Sequence, residues 1–226
     1  MAKPLAWSYS ALTSFETCPH RYYETRIAKR IVEPQTESTL WGNRVHKAFE
    51  YRVAHGTPFD AELKQFEPIA AKIVAQQQDG KRVSCEQKLA LNKDLIGRKW
   101  FDKDVWVRGI IDVSIEHGDK MFIGDFKTGR PTPDSAQLKL TAAMSFAIKP
   151  YINRITNTFI WLKTGGTTTE KFERGDVAGI WQEFAPRISR MQQAYDADAW
   201  PKRPSGLCRE WCPVHTCEHN GKYKRR

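Results

Sequence analysis

The stretch that most constrains this chain is Arg108–Arg130, R-G-I-I-D-V-S-I-E-H-G-D-K-M-F-I-G-D-F-K-T-G-R. Two runs rich in β-branched and aromatic residues, Val105–Glu116 and Lys120–Lys127, flank His117-Gly118-Asp119-Lys120. Glycine at the first central position suits a type II′ hairpin turn. With Gly118 and Asp119 as the turn, counting outward sets Asp112 opposite Asp125 and Ile110 opposite Lys127. Directly opposed residues share a face, with Cβ atoms about 5 Å apart. One face is expected to carry Asp112, Asp125 and Lys127, and the other Ile111, Val113, Ile115, Phe122 and Phe126. The first face reads as chemical and the second as core.

Two carboxylates facing each other across a hairpin repel, and the pair is destabilised unless a counter-charge is present. A divalent cation supplies one, Mg²⁺ being held by one or two carboxylates together with water and phosphate oxygens. Lys127 lies two residues beyond Asp125 on the same face. An ammonium group there would orient an attacking water or offset charge building on phosphorus. The same three residues also fit a solvated hairpin face with a Lys–Asp pair, so the surrounding residues have to decide.

At 226 residues the chain suffices for one sizeable domain. It contains no apolar run of membrane-spanning length and no charged-then-apolar leader, so it reads as a soluble cytoplasmic protein with no membrane partner. Lys and Arg total 36 against 26 Asp and Glu, a formal net charge of +10, which favours a polyanionic partner, nucleic acid first and an anionic membrane surface second. The charge is dispersed apart from the tail Lys222-Tyr223-Lys224-Arg225-Arg226.

The N-terminal third reads as helical. Ser8 or Ser10 can cap a first helix whose apolar contacts are Leu12, Phe15, Tyr22 and Tyr23. Cys18-Pro19 interrupts it, since proline disfavours helix at the residue before it. A second helix, about Leu40–Ala54, carries His46 and Glu50 four residues apart and so on one face. A neutral imidazole there can be a metal ligand, with Glu50 holding its second nitrogen or a metal-bound water; an ordinary structural His/Glu pair has the same spacing. Ala61–Gln78 reads as a covering helix without chemistry.

Val83–Leu91 reads as a strand ahead of the hairpin, with Glu86 as its one carboxylate, either an auxiliary acid or an edge charge. After the hairpin, Asp134 is expected to cap a helix bearing Gln137, Leu138, Leu140 and Met144, and Gln137 in its first turn can reach Lys127 or substrate phosphates. Arg154–Lys163 and Thr167–Arg174 form a second hairpin across Thr164-Gly165-Gly166, and Asp176–Ala197 a long amphipathic helix. No G-x-x-x-x-G-K-[ST] loop is present, so the chain shows no motor site of its own.

The tail Gly206–His219 holds Cys208, Cys212 and Cys217, three of the chain's five cysteines, at C-x3-C-x4-C. In a cytosolic protein such a cluster points to a metal centre more than to disulfides. Cys18 is the candidate fourth ligand, and Cys85, inside a strand, reads as structural. Four thiolates suit a 4Fe–4S cluster or Zn²⁺, and His215 and His219 leave a mixed Cys/His zinc site open.

Gly42-x-x-x-His46-x-x-x-Glu50, then Gly109-Ile-Ile-Asp112, then Asp125-Phe-Lys127-Thr-Gly, in that order, resemble the motifs of the RecB-like branch of the PD-(D/E)XK nuclease superfamily. Cys18-Pro19 with the late cysteine cluster resembles the iron–sulfur members, among them the AddB nuclease domain and the CRISPR-associated RecB-like exonucleases. The likeness spans residues 8 to 217. It implies an α/β fold with a restriction-endonuclease-like core, a central mixed β-sheet flanked by helices, plus a helical N-terminal region and a cysteine-ligated C-terminal staple. A single domain over 1–226 is expected, with 1–80 helical and bearing the first cysteine, 81–175 the catalytic core, and 176–226 the closing helix and cysteine tail.

The resemblance also implies hydrolysis of DNA phosphodiesters with Mg²⁺ or Mn²⁺. Carried over by position, His46, Asp112 and Asp125, with the Phe126 backbone carbonyl, resemble the metal ligands, Lys127 the catalytic lysine, and Glu50 and Glu86 supporting acids. Two positions depart from the pattern. Gln137 is followed by Thr141 where members often carry tyrosine, and the middle cysteine of the tail is displaced by one from the usual C-x2-C-x5-C spacing. The expected activity is an exonuclease acting on single- or double-stranded DNA ends in recombination, repair or replication, alone or as a nuclease subunit beside a helicase, recombinase or integrase. A catalytically silent DNA-end-binding module is the contrary reading, and the intact Asp112, Asp125 and Lys127 set stands against it.

Overall fold

The computed structural model describes residues 6–223, so that Lys224, Arg225 and Arg226 of the basic tail lie outside the described residues. In chain order the elements are α1 (Tyr9–Thr17), α2 (Pro19–Tyr22), a π-helical turn (Tyr23–Ile27), α3 (Glu37–His55), α4 (Glu67–Gln78), β1 (Arg82–Leu91), β2 (Val107–His117), β3 (Lys120–Lys127), α5 (Ala136–Ile148), β4 (Arg154–Trp161), β5 (Gly166–Glu173), α6 (Val177–Asp196) and α7 (Leu207–Glu210). They group into two compact units, one of Thr36–Gln182 and the other of the chain up to Gln35 together with the chain from Glu183 onward.

The unit Thr36–Gln182 is built on one mixed sheet in the order β1-β2-β3-β4-β5. β1, β2 and β3 form an antiparallel meander, β4 joins β3 in parallel, and β5 returns antiparallel. Gly118 takes φ +59° and Asp119 stays out of the left-handed region, as a type II′ turn requires. The register that follows pairs Val113 with Gly124 and His117 with Lys120.

The parallel step from β3 to β4 requires a crossover, and α5 makes it across one sheet face. Asn157, fully buried in β4, donates to the Leu138 carbonyl at 2.8 Å and to Thr141 Oγ1 at 2.7 Å. The opposite face packs α3 and α4, with Val45, Phe49 and Val53 against Val113 and Phe126, and the Phe49 and Phe126 rings are stacked 4.0 Å apart. Only glycine fits at 124, because a Cβ there would fall 2.9 Å from Val113 Cγ1.

Two expectations about the hairpin faces are corrected. The side bearing Asp125 is also core, since Met121 and Ile123 on it are as buried as Val113 and Phe126; α5 covers that side. The alternation also breaks at Asp112. Gly109 faces Met144 of α5, a Cβ there falling 3.4 Å from the sulfur, whereas Val113 faces α3 and α4. Residues four apart on a regular strand would share a face. The β1–β2 ladder skips one pair between Cys85–Val113 and Gln87–Ile111, where Glu86 takes φ +49°.

Boundaries shift for local reasons. α3 starts at Glu37 because Thr36 Oγ1 accepts the Thr39 N–H at 3.2 Å, and it stops at Gly56 with φ +72°. Asp134 accepts the Ala136 N–H at 2.9 Å, so α5 begins two residues beyond it. Among the described residues no helix is long and apolar enough to cross a membrane.

In the other unit, Ser8 caps α1 by accepting the Ala11 N–H at 3.2 Å. Cys18 is extended at φ −162° and Pro19 opens α2, the break that proline imposes on its predecessor. An aromatic cluster gathers around half-buried Trp200, whose ring lies 5.2 Å from Tyr23 and 6.1 Å from Tyr22. Arg187 closes a bidentate pair on Glu16 at 2.8 and 2.6 Å.

Candidate active site

Six polar side chains converge in the sheet unit from five elements: His46 from α3, Glu86 from β1, Asp112 from β2, Asp125 and Lys127 from β3, and Gln137 from α5. α3 approaches closely through Gly42, where a Cβ would already touch Thr128 Oγ1 at 3.4 Å. One turn later its His46 reaches Asp112, with Nδ1 3.1 Å from Oδ1. His46, Glu86 and Asp112 each offer a ligand atom within 4.8 Å of the other two. The second oxygen of Asp112 accepts the Phe126 backbone N–H at 2.7 Å.

Beside this trio sits a closed triangle. Lys127 Nζ lies 2.9 Å and 3.0 Å from the two Asp125 oxygens and donates to Gln137 Oε1 at 3.0 Å. Gln137 Nε2 donates back to Asp125 Oδ2 at 2.6 Å. The ammonium also stands 4.8 Å over the Phe159 ring.

The acids crowd one another. Burial and then the charge of Asp112 push the Asp125 carboxyl up to about 6, against Lys127 and His46. Burial and Asp112 likewise raise Glu86. For His46, burial opposes the imidazolium, but Asp112, Asp125 and Glu86 outweigh it and its pKa is raised. The Cys85 thiol is pushed up to about 11 by burial and by Glu50, Glu86 and Asp112, so it stays protonated and inert. Buried carboxylates with one imidazole form a donor set for a hard or borderline divalent cation, Mg²⁺ or Mn²⁺.

Residues 6–217 match the family model described as the PD-(D/E)XK nuclease superfamily. The chain belongs to this superfamily. A candidate exonuclease of Eubacterium rectale shares the fold at TM-score 0.54 and 12% identity, over 91% of this chain and 86% of that one. A second structure, SSO0001, aligns at TM-score 0.44 and 14% identity, over 97% of this chain and 89% of that one. No curated protein matches the sequence.

As a member of the superfamily, the chain is a nuclease, and its mixed sheet flanked by helices is the restriction-endonuclease-like architecture. Asp125, expected beside His46 and Asp112 as a ligand, is turned toward Lys127 and Gln137. Phe126 contributes its N–H to Asp112. Glu50 stands near enough to bear on Glu86 and Cys85. Thr141, in place of the tyrosine common among superfamily members, donates to the Gln137 carbonyl at 2.9 Å. Glu86 joins the closest donor set. Its signal is positional, the place opposite Asp112 between two paired neighbours.

In the other unit Cys18, Cys208, Cys212 and Cys217 line one cavity, with Arg21, Lys202 and His219 among its walls. His215 does not line it. Gly221 donates its N–H to the Cys208 carbonyl at 3.0 Å, and a Cβ there would fall 2.4 Å from the Arg209 carbonyl oxygen. Asn220 Nδ2 donates to the Cys212 carbonyl at 2.9 Å.

Proposed function

We propose that this protein is a divalent-metal-dependent DNA exonuclease of the RecB-like branch, working on DNA ends in recombination, repair or replication. The observation that carries the reading is the meeting of His46, Glu86 and Asp112 within 4.8 Å beside the triangle of Lys127, Asp125 and Gln137. His46, Glu86, Asp112 and Asp125, with the Phe126 carbonyl, would hold Mg²⁺ or Mn²⁺, which lowers the pKa of water and offsets phosphate charge when bound.

The chain's own groups do the positioning. Asp112 is aimed by two hydrogen-bonding partners, the His46 imidazole and the Phe126 N–H. Gln137 holds both Lys127, accepting from its ammonium, and Asp125, donating to its carboxylate. The ammonium then stands where it can donate to an attacking water or to a phosphate oxygen. The surplus of ten positive charges adds sequence-independent attraction for the phosphate backbone, which weakens steeply with salt.

The four-cysteine cavity supports a 4Fe–4S cluster over Zn²⁺. A Zn–S bond of about 2.3 Å would bring tetrahedral thiolates to about 3.8 Å from one another. Among the described residues no three cysteine sulfurs come within 4.8 Å of each other. Thiolates set further apart than that suit a cluster in which each takes its own iron.

The decisive experiment digests end-labelled linear and covalently closed circular DNA, single- and double-stranded, with Mg²⁺, Mn²⁺ or EDTA, beside Asp125→Ala. Metal-dependent loss of linear DNA alone, absent in the variant, is the expected result. Cutting of closed circles would replace the exonuclease assignment with an endonuclease. No cutting of any substrate would leave a partner-dependent subunit or a silent DNA-end-binding module.

A further inference from the structure

The connection between β1 and β2, residues 92–106, is long and yet firmly built. Buried Asn92 accepts the Asp94 and Ile96 N–H groups at 3.1 and 2.9 Å through its side-chain oxygen. Arg98 returns its N–H to the Ala90 carbonyl at 2.8 Å and its guanidinium to Asp104 at 2.7 Å. Asp102 caps the Lys99 N–H at 2.9 Å. Against this fixed backbone, Phe101 is left 85% exposed.

A lone exposed ring is ordinary, but this one has particular neighbours. Trp100, the residue before it, is anchored by Arg108 Nε donating to its carbonyl at 2.9 Å. The Arg108 guanidinium and the Lys88 ammonium lie 5.5 and 5.7 Å from the Trp100 ring centre. Neither cation has a carboxylate partner among the described residues. From Lys88 to Arg108 the chain carries six cations against three carboxylates. Lys88 pairs with Ile110, itself 43% exposed, and that pair sits two residues along the ladder from Glu86 and Asp112, about 6.6 Å.

We infer that the β1–β2 loop is a stacking platform for an unpaired DNA strand at the mouth of the active site, Phe101 taking a base and Lys88 and Arg108 the adjoining phosphates. The inference rests on the nuclease reading of that site and adds the substrate form it takes. Trp100 has its ring engaged by two cations, so Phe101 is the ring free to stack. A duplex hides its base faces within the stack, whereas a single strand offers each one. An exposed aromatic ring together with unpaired cations on the same loop and its flanking strands is the combination that binds single strands without reading sequence. Because the loop backbone is already ordered, little conformational freedom is lost when the strand arrives.

The test measures fluorescence anisotropy of labelled thirty-nucleotide oligothymidylate and of a blunt hairpin duplex, with the full chain in EDTA so that neither is cut. Phe101→Ala should weaken oligothymidylate binding by roughly five- to a hundredfold and change duplex binding by less than about twofold. Phe101→Tyr should restore it, and Lys88→Gln should lower the salt slope for the single strand by about 0.7. Phe101→Ala binding both DNAs as the natural chain does, or losing both equally, would overturn the platform and leave the nuclease reading intact. A natural chain that binds neither DNA would overturn both.

Discussion

Asp112 Oδ2 accepts the Phe126 backbone N–H at 2.7 Å, beyond the Val113–Gly124 pair where β2 and β3 cease to bond to each other. The carboxylate fills the acceptor place that a main-chain carbonyl would hold in a continuing ladder, while its other oxygen meets His46 at 3.1 Å. Charge-assisted bonds of this kind are among the stronger ones in proteins. Asp112 is thereby oriented before any cation arrives. Asp112→Asn keeps the side-chain shape, so it should show a native circular dichroism spectrum and lose cleavage of linear DNA by about 10²–10³-fold or more. A fully active variant would remove Asp112 from the reaction.

Glu86 combines a left-handed φ of +49° with a carboxyl whose pKa is raised by burial and by Asp112. Both features cost stability when no cation is present. Glu86→Gly relieves the backbone strain and removes the charge, so in EDTA it should unfold about 2–4 °C higher, the equivalent of about 1 kcal/mol. Its cleavage rate with Mn²⁺ should fall in the same preparation. Thermal melting paired with a cleavage assay reads both, and a variant that melts lower while cutting normally contradicts the assignment.

Glu116 is 6% exposed and bonded by Lys149 at 2.8 Å and Tyr151 at 2.7 Å. Burial pushes its carboxyl up, but those two partners outweigh burial and hold its pKa below the ordinary value. A carboxyl with a depressed folded pKa adds stability above its unfolded value, near 4.3, that is lost as pH falls through the folded value. Glu116→Gln should therefore be less stable at pH 7 by about 1–3 kcal/mol, with the gap closing below about pH 4. Urea titrations across that range decide it, and a gap independent of pH would mean that the charge contributes nothing.

The cysteine cavity makes a spectroscopic prediction. Cys18→Ala and Cys208→Ala should each abolish a broad visible absorbance in anaerobically purified protein, because the two residues line one cavity. Cys85→Ala should keep the colour, its thiol lying in β1 beside Glu50, Glu86 and Asp112. Stoichiometric zinc in a colourless anaerobic preparation would replace iron–sulfur with zinc.

Much of this was legible along the chain because the signals are local. Gly118 at the turn sets the hairpin register, Cys18-Pro19 breaks the first helix, and Gly42, His46 and Glu50 recur at helical spacing on α3. Turn chemistry, caps and the periods of strand and helix need only near neighbours. They placed Asp112, Asp125 and Lys127 on adjoining strands, and their order resembled the superfamily's.

Other features required the folded chain. Glu86 stands opposite Asp112 because β1 pairs with β2 across the Asn92–Trp106 connection, and no tight turn there sets a register. The phase change at Asp112 depends on which side of the sheet α5 covers and which side α3 and α4 cover. Cys18 meets Cys208, Cys212 and Cys217 only after the two chain ends have come together. The sequence by itself determined the elements, the hairpin turn and the chemical character of the residues on them. Tertiary structure decided where the carboxylates point and which distant side chains they meet, because layer packing and desolvation act between groups that sequence separation does not relate.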